Sequence, residues 1–197
     1  MTTVLRTAMD CAFDLPAREA ICVVDSAVRS LARPSRFHPE DSEQRMDAVR
    51  RRLEQTVAAQ GPRRGARRAR AVLRITSGLA ESPGESVLRW FVRTLGLPAP
   101  RLQARIADPD LSRFYFPDEV WPEFKVLAEF DGQLKYTSPE ELWREKQRHD
   151  ALVRMGWHTE RFIWSDFGDL DALRHRVLTL FPPAAARRWR PMADLWK

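Results

Sequence analysis

The 197-residue chain carries 33 lysines and arginines against 27 acids, a formal charge of +6, and 44% apolar residues, enough for one ordinary core or two small ones. No apolar run reaches membrane-spanning length, and the opening lacks a basic segment followed by a hydrophobic one, so a membrane protein and a secreted one are set aside and a cytoplasmic location is expected. The positive balance points to a polyanionic partner.

Leu5, Met9 and Ala12 recur at helical spacing, and Ile21, Val24 and Val28 continue the pattern, with Pro16 in the first turn of the second helix. Residues 1–33 therefore read as an amphipathic hairpin. Its two cysteines, Cys11 and Cys22, lack zinc spacing and read as reduced structural thiols. After a loop at 34–39, Asp41 or Ser42 is placed to cap a helix running to about Ala59, which Gly61-Pro62 ends before another helix from Gly65 to about Ser77. Nine arginines (50, 51, 52, 63, 64, 67, 68, 70 and 74) stand in this stretch beside a single acid, Glu54. Charge runs on helices are usually solvated faces. A nine-to-one imbalance is too lopsided for a salt-bridged surface, and Arg63, Arg64, Arg67 and Arg68 are candidates for contact with nucleic-acid phosphates.

Glu81-Ser82-Pro83-Gly84 turns the chain into a helix carrying Val87, Leu88, Phe91, Val92 and Leu95, with Glu85 in its first turn and Gly96-Leu97-Pro98 as its end. Strands are expected at 102–106, 114–118, 125–130 and 158–164, with a helix at 140–155 between the last two and a closing helix at 169–180. The fold class is α/β, an α+β mixed sheet in α-β-β-β-α-β order. Three regions result: a helical, arginine-rich region at 1–77, a sheet domain at 78–182 and a basic tail at 183–197, whose Arg187-Arg188-Trp189-Arg190 adds to the positive charge.

The spacing Asp118-x10-Glu129-Phe130-Asp131-Gly132-x2-Lys135 gathers three carboxylates and a lysine around the apolar run Val126-Leu127-Ala128. A strand alternates faces, so Glu129 and Asp131 point the same way, and Asp118 joins them from a neighbouring antiparallel strand. Hard oxygen ligands in such a cluster suit Mg2+, with Mn2+ as a substitute, and Asp118 and Glu129 are the natural ligands. Asp131-Gly132 is also a strong hairpin-turn dipeptide, and Asp118 beside Glu119 also reads as a surface pair. A glutamate two residues before the turn tips the balance, since an apolar strand has little reason to carry a charge on its inner face.

Ser82-Pro83-Gly84-Glu85-Ser86, Asp118-x2-Trp121-Pro122, Glu129-Phe130-Asp131-Gly132, Glu145-Lys146-x-Arg148 and Gly156-Trp157-x4-Phe162 occur in that order. Together they resemble the Vsr-like domain of unknown function, placed in the PD-(D/E)XK nuclease superfamily and found in proteins similar to AbiEi-type antitoxins. The resemblance spans about half the chain, from Glu81 to Phe181. It implies a restriction-endonuclease-like core, and longer members carry a winged-helix region before the segment matching Thr2–Asp10, a region expected to be absent here.

What the resemblance implies is a metal-dependent endonuclease hydrolysing phosphodiesters, with double-stranded DNA as the expected partner. Catalytic roles fall to Asp118, Glu129, Asp131 and Lys135, and metal ligation to Glu85, Asp118, Glu129 and Asp131. Asp131 stands where the superfamily usually has its lysine, so it serves as a further ligand or as a base. Lys135 is then the nearest lysine for orienting the attacking water. Lys146 is the second candidate and also a nucleic-acid contact. Glu85 followed by Arg89 reads equally as a helix-stabilising ion pair. The alternative function is a non-catalytic DNA-binding or regulatory protein resembling AbiEi-type antitoxins.

Overall fold

The computed structural model describes residues 2–132, 138–186 and 189–196, which form two compact units, one of residues 1–99 with 190–197 and the other of residues 100–189. Packing thus divides the chain near Ala99 rather than after residue 77, and it returns the last residues to the first unit.

The helical unit contains α1 (Val4–Asp14), α2 (Ala17–Ala32), α3 (Pro39–Ala59), α4 (Ala66–Ile75) and α5 (Pro83–Thr94). Pro16 stands at the N-cap of α2, and α3 begins at Pro39, two residues before the expected cap, because a proline at the first helical position lacks only a donor that has no partner there. The Ser42 hydroxyl instead donates to the carbonyl of His38 at 2.6 Å. Gly65, in the left-handed region at φ 82°, precedes α4, and a Cβ there would stand 2.2 Å from the Phe13 carbonyl oxygen. Only glycine allows that approach.

Most of α5 is buried all round its circumference, so it belongs to the interior of this unit, against α2. Two links hold that interior together. Trp90 donates its Nε1–H to the Leu195 carbonyl at 2.8 Å and meets the Trp196 ring edge-on at 5.5 Å. Deeper in, Asp25 of α2 accepts from Thr76 (2.7 Å), the Ser77 amide (2.8 Å), Ser86 (2.6 Å) and Arg89.

The second unit contains β1 (Arg101–Leu102), β2 (Ile106–Asp108), β3 (Arg113–Tyr115), β4 (Glu119–Trp121), β5 (Val126–Phe130), α6 (Pro139–Arg154), β6 (His158–Phe162) and α7 (Leu170–Thr179). Its four-stranded sheet runs β1-β4-β5-β6, antiparallel at the first two pairings and parallel at the last, with β2 and β3 as a separate hairpin. The two single strands expected at 102–106 and 114–118 are each broken. Gln103 takes a left-handed conformation (φ 49°) that ends β1. Asp108 turns the hairpin by accepting from the amides of Asp110 (3.0 Å) and Leu111 (3.3 Å). Val120 and Leu127 bury one face of the sheet against Ala151 and Leu152 of α6, with Ile106, Tyr115 and Trp157. On the opposite face Trp121 meets Phe181 at 5.2 Å, and Phe130 meets Trp164 at 4.9 Å.

Candidate functional site

Strands β4 and β5 pair with Glu119 opposite Ala128 and Val120 opposite Leu127. One step further along this register sets Asp118 opposite Glu129, and alternation places both on the α6 face of the sheet with Val120 and Leu127. Asp118 is half-buried and Glu119 buried, so the two are not a surface pair. Pro117 offers no amide to the ladder, and the Asp118 carboxylate takes over its continuation. Its Oδ2 accepts from the Phe130 amide at 2.9 Å, and its Oδ1 from the Gln103 side-chain amide at 3.1 Å. The Gln103 amide in turn donates to the Asp118 carbonyl at 3.2 Å, so the left-handed turn after β1 fixes this carboxylate.

Like charges directly opposite on neighbouring strands repel. Guanidinium groups offset the charge of Glu129. Arg148 of α6 binds both oxygens of Glu129, at 3.0 Å to Oε2, and reaches Glu145 one turn away at 3.0 Å. Arg161 lies opposite Glu129 in the parallel β5–β6 register, 3.8 Å from its Oε2, and pairs with Glu145. Two acids and two arginines thus close a neutral network on which Asp118 borders.

The other expected site residues are distributed differently. Asp131 follows β5, its amide donating to the Phe162 carbonyl at 2.8 Å, and alternation sets its side chain on the side of Glu129. Lys135 lies outside the described residues. Lys146 is exposed on α6, its ammonium 5.8 Å from the Trp143 ring centre, and Glu129 is reached instead by Arg148 and Arg161. Glu85 belongs to the helical unit, where it completes the start of α5: Ser82 accepts from the Glu85 amide at 3.3 Å, and Glu85 Oε2 accepts from the Glu81 amide at 2.8 Å. Arg89 pairs with Asp25 rather than with Glu85.

Donor chemistry decides whether a divalent ion suits the Asp118–Glu129 pair. Mg2+ is commonly held by one or two carboxylates, with waters and substrate phosphates completing its shell. Two carboxylates on one face are donors of the kind such an ion takes, while in this structure Glu129 is held by Arg148 and Asp118 by the Phe130 and Gln103 amides. Among the described residues no group of three or more His, Cys, Asp or Glu side chains is placed to hold a metal, so the pair fits only a site that substrate and water complete.

A second candidate surface lies in the helical unit. Of the nine arginines, Arg50 pairs with Glu43 and Asp47, each at 2.5 Å. Arg63 pairs with Asp14 at 3.3 Å and covers the Phe13 ring, while Arg68 donates to the Phe13 carbonyl. These last two fasten the start of α4 to the end of α1. The other six, Arg51, Arg52, Arg64, Arg67, Arg70 and Arg74, are exposed and have no ion-pair partner among the described residues. Arg67, Arg70 and Arg74 share one stripe of α4, opposite the buried Ala69 and Val72. Arg70 and Arg74 also line a cavity of about 270 Å3 with Glu54 and Val57 of α3.

Sequence reading missed Arg148 and Arg161 as partners of Glu129. Arg148 had a visible signal, since Glu145-x-x-Arg148 places an acid and a base one helical turn apart. Arg161 had none, because only the parallel pairing brings it beside β5.

No family model matches the chain, and no solved structure matches it. Two curated relatives, Uncharacterized protein MT2308 and Uncharacterized protein Rv2248 from two strains of Mycobacterium tuberculosis, are each 32% identical to it over 151 residues. The match covers 77% of this chain and 50% of each relative, so the chain spans about half the length of the curated relatives it matches.

Proposed function

We propose that the chain is a DNA-directed phosphodiesterase of the metal-dependent endonuclease type, its sheet unit a PD-(D/E)XK-like core and its arginine-faced helices the source of DNA affinity. One observation carries this reading: the β4–β5 register sets Asp118 and Glu129, both hard oxygen donors, opposite each other on one face of antiparallel strands. The order β1, β4, β5, α6, β6 within the sheet unit supports it, with the β2–β3 hairpin as an insertion, while α5 belongs to the helical unit. A bound Mg2+ would lower the pKa of water for attack and offset charge on the leaving oxygen.

The protein's own residues do the positioning. Gln103 and the Phe130 amide hold Asp118 in a fixed orientation toward Glu129. In this reading Asp131, just past the strand end, would accept a proton from an attacking water. Arg148 and Arg161 balance the charges of Glu129 and Glu145. Arg51, Arg52, Arg64, Arg67, Arg70 and Arg74 contribute sequence-independent attraction to the backbone of double-stranded DNA.

A second reading, a non-catalytic DNA-binding regulator, is favoured by the Arg148 contact with both oxygens of Glu129, which is a stable structural pair in itself. The two separate by experiment. Asp118→Asn with Glu129→Gln is expected to abolish Mg2+-dependent nicking of supercoiled plasmid while DNA affinity, read by fluorescence anisotropy, stays equal or rises. A parent protein that binds DNA and never nicks it leaves the regulator reading in possession.

A further inference from the structure

Beside the start of β5 the sheet unit holds a cleft of about 520 Å3, within the roughly 300–1,000 Å3 usual for small-molecule sites. Ile106, Val120 and Trp157, all buried in the core beneath α6, give it an apolar floor. Its charged lining is Arg101, Arg105 and Lys125, with no acid. These three side chains are exposed and have no ion-pair partner among the described residues. The acids of the adjoining β2–β3 hairpin are engaged elsewhere, Asp108 and Asp110 pairing with Arg154 at 3.2 and 3.5 Å. Three cations without a counter-charge focus a positive potential into the cleft.

The cations are also held in place. Arg101 stands opposite Val120 in the β1–β4 register and so rises beside the floor. The Arg105 guanidinium lies over the Phe114 ring, 3.5 Å from its centre, and the Lys125 ammonium stands 4.6 Å from the centre of the Trp157 ring. Lys125 has a left-handed backbone, φ 54°, fixed by its amide donating to the Pro122 carbonyl at 3.2 Å and its carbonyl accepting from the His158 amide at 2.7 Å. Glycine or asparagine takes that conformation more readily. What lysine adds at this strained position is its ammonium at the cleft.

We infer that this cleft binds a nucleoside phosphate, the phosphate held by Arg101, Arg105 and Lys125 and the base resting on the apolar floor beside Trp157. The lining sets the ligand's chemistry. Guanidinium and ammonium groups match the several oxygens of a phosphate, which alone would leave the floor uncovered. An uncharged nucleoside would leave the cations unmatched. A flat, largely apolar body with one anionic end uses both, and a free nucleotide and an unpaired nucleotide of a strand share that form. Glu129 lies towards the other end of β5, so the cleft is separate from the acid pair, and its failure would leave the reading of that pair untouched.

The test is calorimetry on the whole chain with adenosine monophosphate, comparing the parent with Arg105→Gln and Lys125→Asn. The parent is expected to bind it, and each variant to bind at least about tenfold more weakly through loss of one contact to a charged group. The melting temperature of Lys125→Asn should stay at or above that of the parent, because asparagine suits the left-handed turn. That variant serves alone if Arg105→Gln does not fold. A single-stranded oligonucleotide that displaces the nucleotide marks a strand as the source, and one that leaves it bound marks the free nucleotide; both uphold the site. Adenosine, inorganic phosphate or octanoate binding as tightly as the nucleotide overturns the assignment. Equal affinity in parent and variants, or no binding by the parent, overturns the site.

Discussion

Asp25 and Arg89 show what a single buried pair contributes. The two side chains are 1% and 4% exposed, and Asp25 gathers donors from the end of α4, the segment after it and α5. Removing one partner leaves the other charge buried without compensation, which costs about 3–5 kcal/mol. Arg89→Met is therefore expected to lower stability by that amount in urea denaturation, whereas Asp25→Leu combined with Arg89→Met should recover most of it. Recovery by the double variant marks the pair as a device of packing rather than of function. One turn before Asp25, burial pushes the Cys22 thiol up to about 11 from its ordinary value near 9, and the charge of Asp25 adds to the effect. A raised folded-state value means that the folded chain keeps this proton more firmly than the unfolded one. Its contribution to stability is full below about pH 9 and is lost as pH rises through about 11. Urea titrations at pH 8 and pH 10 should show the parent losing more stability over that interval than Cys22→Ala.

Helix α4 divides its arginines by face. Arg67, Arg70 and Arg74 form an exposed stripe, while Arg68 turns inward to the Phe13 carbonyl. The two groups should respond differently. Replacing Arg67, Arg70 and Arg74 with glutamine is expected to flatten the salt dependence of DNA affinity by roughly 0.9 in log–log slope for each arginine that touches a phosphate. Arg68→Gln should leave that slope unchanged and lower the melting temperature, because it loosens α4 from α1. An unchanged slope in the triple variant would return the stripe to an ordinary solvated face. The strands carry a different lesson. Strand β5 was legible as an apolar run with one inward charge, whereas its antiparallel partner, expected at 114–118, is β4 at Glu119–Trp121. Strands β1 to β4 were not. The left-handed Gln103 has no side-chain signal, and the Asp108 turn looks like the middle of a strand flank until its hydrogen bonds are seen.

At the scale of the whole chain, helix positions followed from periodicity and capping residues, with ends shifted by two or three residues where Pro39 replaced the expected cap. Membership of the units did not follow. Helix α5 reads as the opening of the sheet domain, yet its apolar circumference and its contact with the last residues, through Trp90 and Trp196, place it in the helical unit. Asp25 and Arg89 are 64 residues apart and carry no shared local pattern, so their pairing was invisible. The candidate site was half legible: Asp118 and Glu129 were named from spacing, while the Arg148 guanidinium on Glu129 was not foreseen. No described helix is long and apolar enough to cross a membrane. The central claim is that the Asp118–Glu129 pair cuts DNA. Its most direct measurement is the incubation of an end-labelled duplex with the protein in Mg2+, beside EDTA and beside the Asp118→Asn, Glu129→Gln variant. Cleavage confined to the parent in Mg2+ is the predicted result, and cleavage by the variant at the parent's rate, or none by the parent in either Mg2+ or Mn2+, would contradict it.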